Sequence, residues 1–173
     1  PLQAGNDEVL RRMNRRYNTK AFLEKINKIR DYVGDIAITT DVIVGFPGES
    51  DEYFQDTYNF IKAVNFSELH VFPYSLRTKT PAATFKDQVD SITKKERVRT
   101  LIALSEELKN DYRQKYVGQT MSALIETYDE EKGLYVGHTS NYLDVYVKSN
   151  VDIKHQVINV KYDVEESIMI DSV

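Results

Sequence analysis

The sequence predicts an α/β protein in two parts: a portion of a parallel sheet with its helices, then, across a long helix, a small antiparallel β-barrel. Three observations carry this. Helical and buried-strand patterns alternate through the first ninety residues. Five short strand-like runs then crowd into fewer than sixty residues. The charge balance breaks between the two textures: residues 1–115 hold 19 Lys and Arg against 17 Asp and Glu, whereas residues 116–173 hold 4 against 10.

From Thr19 to Val33, Phe22, Ile26, Ile29 and Val33 recur at helical spacing, and Gly34 stops the helix. The run Ile36 to Gly45 is β-branched and nearly all apolar, which predicts a strand buried on both faces, as in a parallel sheet. Ser50 caps the next helix, with Asp51 and Glu52 at its positive end, and Phe54, Tyr58, Ile61 and Val64 line one face. A second buried strand runs from Phe66 to Phe72. Strand, helix and strand in succession make right-handed βαβ units. There are too few to close a barrel, so the chain should hold part of a sheet. After an irregular stretch from Pro73 to Val89, Thr93 and Glu96 have capping-box spacing. Val98, Leu101, Ile102, Ser105, Leu108 and Tyr112 follow with a helical period that Gly118 closes. Strands are then expected at Thr120–Thr127, Leu134–Gly137, Tyr142–Lys148, Gln156–Tyr162 and Ser167–Ile170, with polar turns between them. Domain boundaries follow: 1–90, 91–116 and 117–173.

Composition removes several classes of function. There is no cysteine, hence no disulfide framework, thiolate metal site or cysteine nucleophile. His138 and His155 lack metal-ligand spacing, so no metal site is assigned. No apolar run approaches the ~18 residues of a membrane span and no signal peptide opens the chain, so no membrane partner is expected. The chain opens at Pro1, in a loop-like stretch, and reads as a piece of a longer protein. A bare edge of a parallel sheet is prone to pair with another chain, so a dimer through that edge is expected.

Asp41 places a carboxylate inside an apolar strand, followed by the Gly45-Phe46-Pro47-Gly48 turn at its carboxyl end, where α/β folds bind ligands. Glycine there lets a flat ring or a phosphate approach the backbone, or it simply makes the turn. Gln3 and Asp7 flank Gly5 in a loop, open to the same two readings. His70, in a buried-looking strand, reads as a satisfied core histidine. Arg11, Arg12, Arg15, Arg16 and Lys20 form a basic cluster, either a phosphate-facing patch or a solvated helix face. In the acidic final region the cations are few, among them Lys148, Lys154 and Lys161. Tyr135, Tyr142 and Tyr146 could stack on bases or pack across strands.

Four segments in order carry a resemblance: Pro1-Leu2-Gln3-Ala4-Gly5-Asn6-Asp7, Met13-Asn14-Arg15-Arg16-Tyr17, Thr40 through Glu49, and Phe72 through Ala83. Together they resemble the second half of the core of radical S-adenosylmethionine tRNA methylthiotransferases, and the region from about Val117 resembles their TRAM domain. Glu68 through Ser75 and Gly137 through Tyr142 are most similar to the branch acting on N6-threonylcarbamoyladenosine. The resemblance implies an incomplete (β/α) barrel, a cytoplasmic enzyme, S-adenosylmethionine and two 4Fe–4S clusters whose cysteine ligands lie outside this chain. It implies a radical that takes hydrogen from C2 of the modified adenine next to the anticodon, where a methylthio group is installed. Carried over by position, Gln3, Gly5 and Arg15 border the methionine moiety. Asp41 and Gly45 face the cofactor, and Phe72 lies near its adenine. No catalytic residue falls in this chain. Ala4 and Asn6 stand where the family has serines, and Lys79 where it has glycine. For the tRNA anticodon stem-loop the expected contacts are Arg11, Arg12, Lys20, Tyr142 and Lys148. The alternatives are the isopentenyladenosine branch of the same family and a free-standing RNA-binding module.

Overall fold

The computed structural model describes residues 1–34 and 36–172. The chain separates into two compact units, Pro1–Lys109 and Asn110–Val173, and is mixed α/β.

In the first unit, helices α1 (Asp7–Arg12) and α2 (Thr19–Val33) precede strand β1 (Thr39–Val44), helix α3 (Asp51–Val64) and strand β2 (Glu68–Pro73). A 3₁₀ turn at Pro81–Thr84 leads to the long helix α4 (Ser91–Gln114), of which all but the last residues lie in this unit. β1 and β2 pair in parallel, Thr39 opposite Glu68 through Val44 opposite Pro73, with α3 as the crossover the sequence predicts. Side-chain oxygens satisfy the free N–H groups that begin each helix. Asn6 accepts from Glu8 and Val9 at α1, Asn18 from Ala21 at α2, and Ser50 from Tyr53 at α3. At α4 the cap is Asp90 rather than the expected Thr93. Its Oδ1 accepts from the N–H groups of Ile92 and Thr93, and the Thr93 hydroxyl donates to its Oδ2. A carboxylate three residues upstream of Thr93 outcompetes the Thr93–Glu96 box because it serves two backbone donors at once.

The core of this unit gathers Leu2, Ile26, Val42, Val44, Ile61, Val64, Phe66, Leu69, Leu101, Leu104 and Leu108. β1 is buried on one face only: Thr40, Val42 and Val44 are buried while Asp41 and Ile43 are half-exposed. Helices cover just one side of this two-stranded sheet, so the expected two-sided burial is absent. The stripe on α2 is likewise cut short. Phe22, Leu23 and Ile26 pack on the core, whereas Ile29 and Val33 are exposed.

The second unit contains β3 (Thr120–Asp129), β4 (Leu134–Thr139), β5 (Asp144–Val147), β6 (Val157–Lys161) and β7 (Ile168–Ser172). They form one antiparallel sheet in the order β5-β4-β3-β6-β7. Inward residues alternate along the strands, with Ala123, Ile125, Val145, Val147, Ile158 and Val160 buried. The expected small barrel is a curled sheet instead. Among the described residues its outer strands meet at a single bridge, Val147 with Ser167, where the Ser167 N–H donates to the Tyr146 carbonyl. A bulge between Ile125 and Thr127 adds the local bend that such curling requires.

Candidate functional site

All four resembling segments are bonded to one another around β1. Residues 2–4 lie along its outer edge. The Leu2 N–H donates to Thr40 Oγ1, the Gln3 N–H to the Asp41 carbonyl, and the Ile43 N–H to the Gln3 carbonyl. Gln3 adopts φ 69°, a strained conformation for a residue with a side chain, and its side chain is buried. From the second segment, Arg15 Nη2 donates to Gln3 Oε1 at 2.8 Å, and the Tyr17 hydroxyl donates to the Leu2 carbonyl at 2.9 Å. From the fourth, the Tyr74 N–H donates to the Val44 carbonyl at 2.8 Å. Gln3, Arg15, Asp41 and Gly45 are thus brought together on one strand edge and its carboxyl end.

Asp41 and Ile43 share the face of the sheet opposite the core with their in-register partners His70 and Phe72. His70 is exposed, not a core histidine, because β2 presents it to the uncovered side. Phe72 is 50% exposed. A carboxylate, an imidazole, an aliphatic chain and an open aromatic ring on one small face suit a ligand that carries both hydroxyls and a flat ring.

At the carboxyl end of β1, Gly45 (φ 71°) and Gly48 (φ 85°) occupy conformations that favour glycine. The room that their missing side chains leave is taken by long side chains of the protein itself. A Cβ on Gly45 would stand 2.3 Å from Lys94 Cγ, and one on Gly48 would stand 2.4 Å from Arg12 Cζ. Arg12 also donates to the Pro47 carbonyl, pairs with Asp87 and lies over the Phe85 ring. Beneath the turn sits a buried ion pair. The Gly45 N–H and Arg97 Nη1 both donate to Glu49 Oε1 at 2.7 Å, Arg97 Nη1 also donates to the Glu49 carbonyl, and Arg97 Nη2 pairs with Asp51. The Arg97 and Glu49 side chains are 6% and 0% exposed. Burial pushes the Glu49 carboxyl up from its ordinary value, against the lowering effect of the Gly45 N–H and of Arg97. Sequence reading missed both residues. Glu49 follows a glycine turn and looks like a helix-start carboxylate, and its partner lies 48 residues downstream, beyond any local pattern.

Gly5 is explained by packing on α3. Its N–H donates to Thr57 Oγ1, and a Cβ would stand 2.8 Å from Thr57 Cα. Asn6 is the α1 cap and also donates to Asp56, while Asp7 Oδ1 accepts from the Thr19 N–H.

Of the basic residues, Arg11 pairs with Glu8 at 2.6 Å and Arg12 is engaged as above; Arg16 and Lys20 are exposed. A cleft of about 330 Å³ is lined by Asp7, Arg11, Arg15, Arg16, Tyr17, Asn18 and Ala21. In the second unit Tyr142 is 82% exposed at φ 61° in the turn between β4 and β5, and Lys148 is exposed just after β5. Tyr135 packs against Tyr128, with ring centroids 4.8 Å apart, and Lys132 lies over the Tyr146 ring. Among the described residues no cluster of His, Cys, Asp and Glu could hold a metal ion, and no helix is long and apolar enough to cross a membrane.

Residues 1–61 match the profile of the Radical SAM superfamily. The chain is 46% identical over 164 residues to the threonylcarbamoyladenosine tRNA methylthiotransferase MtaB of Bacillus subtilis, covering 93% of this chain and 36% of that protein. It is 38% identical over 161 residues to the tRNA-2-methylthio-N(6)-dimethylallyladenosine synthase of Caldicellulosiruptor saccharolyticus, covering 93% of this chain and 34% of that one. The enzyme of the latter name from Clavibacter michiganensis is 43% identical over 132 residues, 76% of this chain and 25% of its own. The resemblance read from the four segments is borne out. The chain spans about a third or less of the length of these curated relatives.

Proposed function

We propose, from this kinship with radical S-adenosylmethionine tRNA methylthiotransferases, that the chain is the carboxy-terminal part of such an enzyme. Residues 1–90 would be the second half of an incomplete (β/α) barrel, residues 91–116 a connecting helix and residues 117–173 a TRAM-like module. The reaction is methylthiolation of C2 of N6-threonylcarbamoyladenosine next to the anticodon, in the cytoplasm. The observation that carries this reading is the 46% identity to the Bacillus subtilis relative across 93% of the chain. The 38% relative named for dimethylallyladenosine supports the second reading, the other branch of the family.

The β1–β2 face fits S-adenosylmethionine by its chemistry. Asp41 is an acceptor for hydroxyl groups, Phe72 offers an open ring for stacking, and Arg15, held by Gln3, supplies a cation for a carboxylate. Gly5 lets the first loop pack closely on α3, and Gly45 gives the turn its φ 71° conformation. With no cysteine, this chain has no thiolate for a cluster, so the ligands of both 4Fe–4S clusters belong to the rest of the enzyme. The bound cofactors would supply the radical and sulfur chemistry; the residues here bind and orient. Arg11, Arg12 and Lys20 are the proposed phosphate contacts for the tRNA anticodon stem-loop, with Tyr142 and Lys148 contributing stacking and charge from the second unit. On the outer edge of β2 the Leu69 N–H and carbonyl are taken by the Ser105 hydroxyl, so a further strand, from the same enzyme or from a second copy in a dimer, would add beyond Gln3 on the β1 side.

Mass spectrometry of tRNA nucleosides from cells lacking the full-length protein tests the reading. Loss of the methylthio group from N6-threonylcarbamoyladenosine alone is expected. Its loss from the dimethylallyl nucleoside instead would transfer the enzyme to the other branch, and loss from neither would reject the reading. For the RNA face, replacing Arg11, Arg12 and Lys20 should flatten the slope of log affinity against log salt by up to about two or three units. Deleting residues 117–173 should change the slope much less.

A further inference from the structure

We infer that Glu49 and Arg97 are positioning residues for the cofactor. In this inference helix α4, through Arg97, holds the Glu49 carboxylate that fixes the Gly45 N–H at the carboxyl end of β1. This rests on the reading above, in which Gly45 faces S-adenosylmethionine.

The turn has to be held by something other than its own backbone. Gly45, just past the end of β1, stands at φ 71°. Its N–H donates to Glu49 Oε1 at 2.7 Å. That acceptor is unusual in being a carboxylate with no exposure at all. A buried carboxylate is costly unless paired, and the cation that pairs it comes from α4. Arg97 grips both the side chain and the carbonyl of Glu49, extends its other terminal nitrogen to Asp51, and lies over the Phe54 ring with its carbon 5.3 Å from the centroid. One guanidinium therefore ties the end of the turn to the first residues of α3. A second side chain from the same helix acts alongside. The Lys94 chain fills the space in front of Gly45, and its ammonium lies 5.2 Å from the centroid of the Tyr74 ring.

A purely structural pair would gain from completing its hydrogen bonds. Here Glu49 Oε2 and Arg97 Nε are both buried without a hydrogen-bond partner among the described residues. An apolar pair of similar volume would often be as stable or more so. What an apolar pair could not do is accept the Gly45 N–H. The conformation of one backbone group at the ligand end of β1 is the specific thing this arrangement secures.

Two double variants of the full-length protein separate the roles. Glu49→Leu with Arg97→Met removes both charges and the acceptor; Glu49→Gln with Arg97→Met removes both charges but keeps an acceptor for Gly45. Both should unfold within a few degrees of the parent. Calorimetric titration with S-adenosylhomocysteine should give the Leu/Met variant an affinity about tenfold weaker than that of the Gln/Met variant, as for loss of one charge-assisted hydrogen bond at the site. Hydrogen exchange in the peptide containing Gly45 should be faster in the Leu/Met variant alone. Asp41→Asn is the control for the site itself. If Asp41→Asn weakens binding and the two double variants bind alike, the positioning role is wrong and the cofactor face stands. If Asp41→Asn and the Leu/Met variant both bind like the parent, the cofactor face is misplaced and this inference falls with it.

Discussion

Each inner strand of the antiparallel sheet has a ladder on both sides, and its outer strands touch at the Val147–Ser167 bridge. In the parallel sheet both strands are outer strands. β1 receives two bonds from Gln3. On β2 the backbone of Leu69 is met by a side chain: the Ser105 hydroxyl accepts from the Leu69 N–H and donates to the Leu69 carbonyl. Backbone ladders between adjacent strands sustain the one sheet. In the other, the edges are met by the backbone of Gln3, from the loop before α1, and by the Ser105 hydroxyl of α4, because a parallel pair cannot be joined by a short hairpin. The two units should therefore fail in different ways, through lost polar partners in the first and through lost space in the second.

The largest effect should come from Arg97→Met alone, which leaves Glu49 buried without its cation. At neutral pH we expect a loss of about 3–5 kcal/mol, the range for breaking a buried pair from one side, read by urea unfolding of the first unit. The pH dependence has a fixed sign. The folded-state pKa of Glu49 lies above its ordinary 4.5, so its favourable contribution is full below that value and is lost as pH rises through the folded pKa. Without Arg97 the folded value rises further, and the deficit should shrink as pH falls towards 4.5. A pH-independent deficit would mean that Glu49 does not carry it.

Next comes space. A Cβ on Gly137 would stand 2.1 Å from the Leu124 carbonyl oxygen and 2.8 Å from Ile125 Cα, both backbone atoms of β3. Gly137→Ala should cost about 2–3 kcal/mol, towards the upper end for overpacking. Amide exchange should accelerate across β3 and β4 while the first unit stays protected. Loss of protection in both units would mean that they unfold together, and the comparison would fail.

Ser105→Ala should have the smallest effect, about 1–2 kcal/mol for two backbone groups left without a partner at a covered edge. Concentration-dependent sedimentation will show whether the uncovered β2 edge then recruits a second chain. An unchanged stability would mean that Ser105 does not seal the edge.

Much of the chain was determined by local sequence. Thr19–Val33 forms the helix that its period and Gly34 require, Ser50 caps α3, and all five β-module strands stand within a few residues of where alternation puts them. These features rest on contacts a few residues apart, which a pattern records. The four resembling segments likewise carried the likeness to tRNA methylthiotransferases that the comparisons found. Tertiary structure alone decided the rest. It chose Asp90 over Thr93 as a cap, exposed His70, and curled the second sheet without closing it. It also put Arg97 beneath Gly45. A buried carboxylate and its cation are selected by the dielectric around them and by a distance across space, and neither quantity is written in the spacing of residues along the chain.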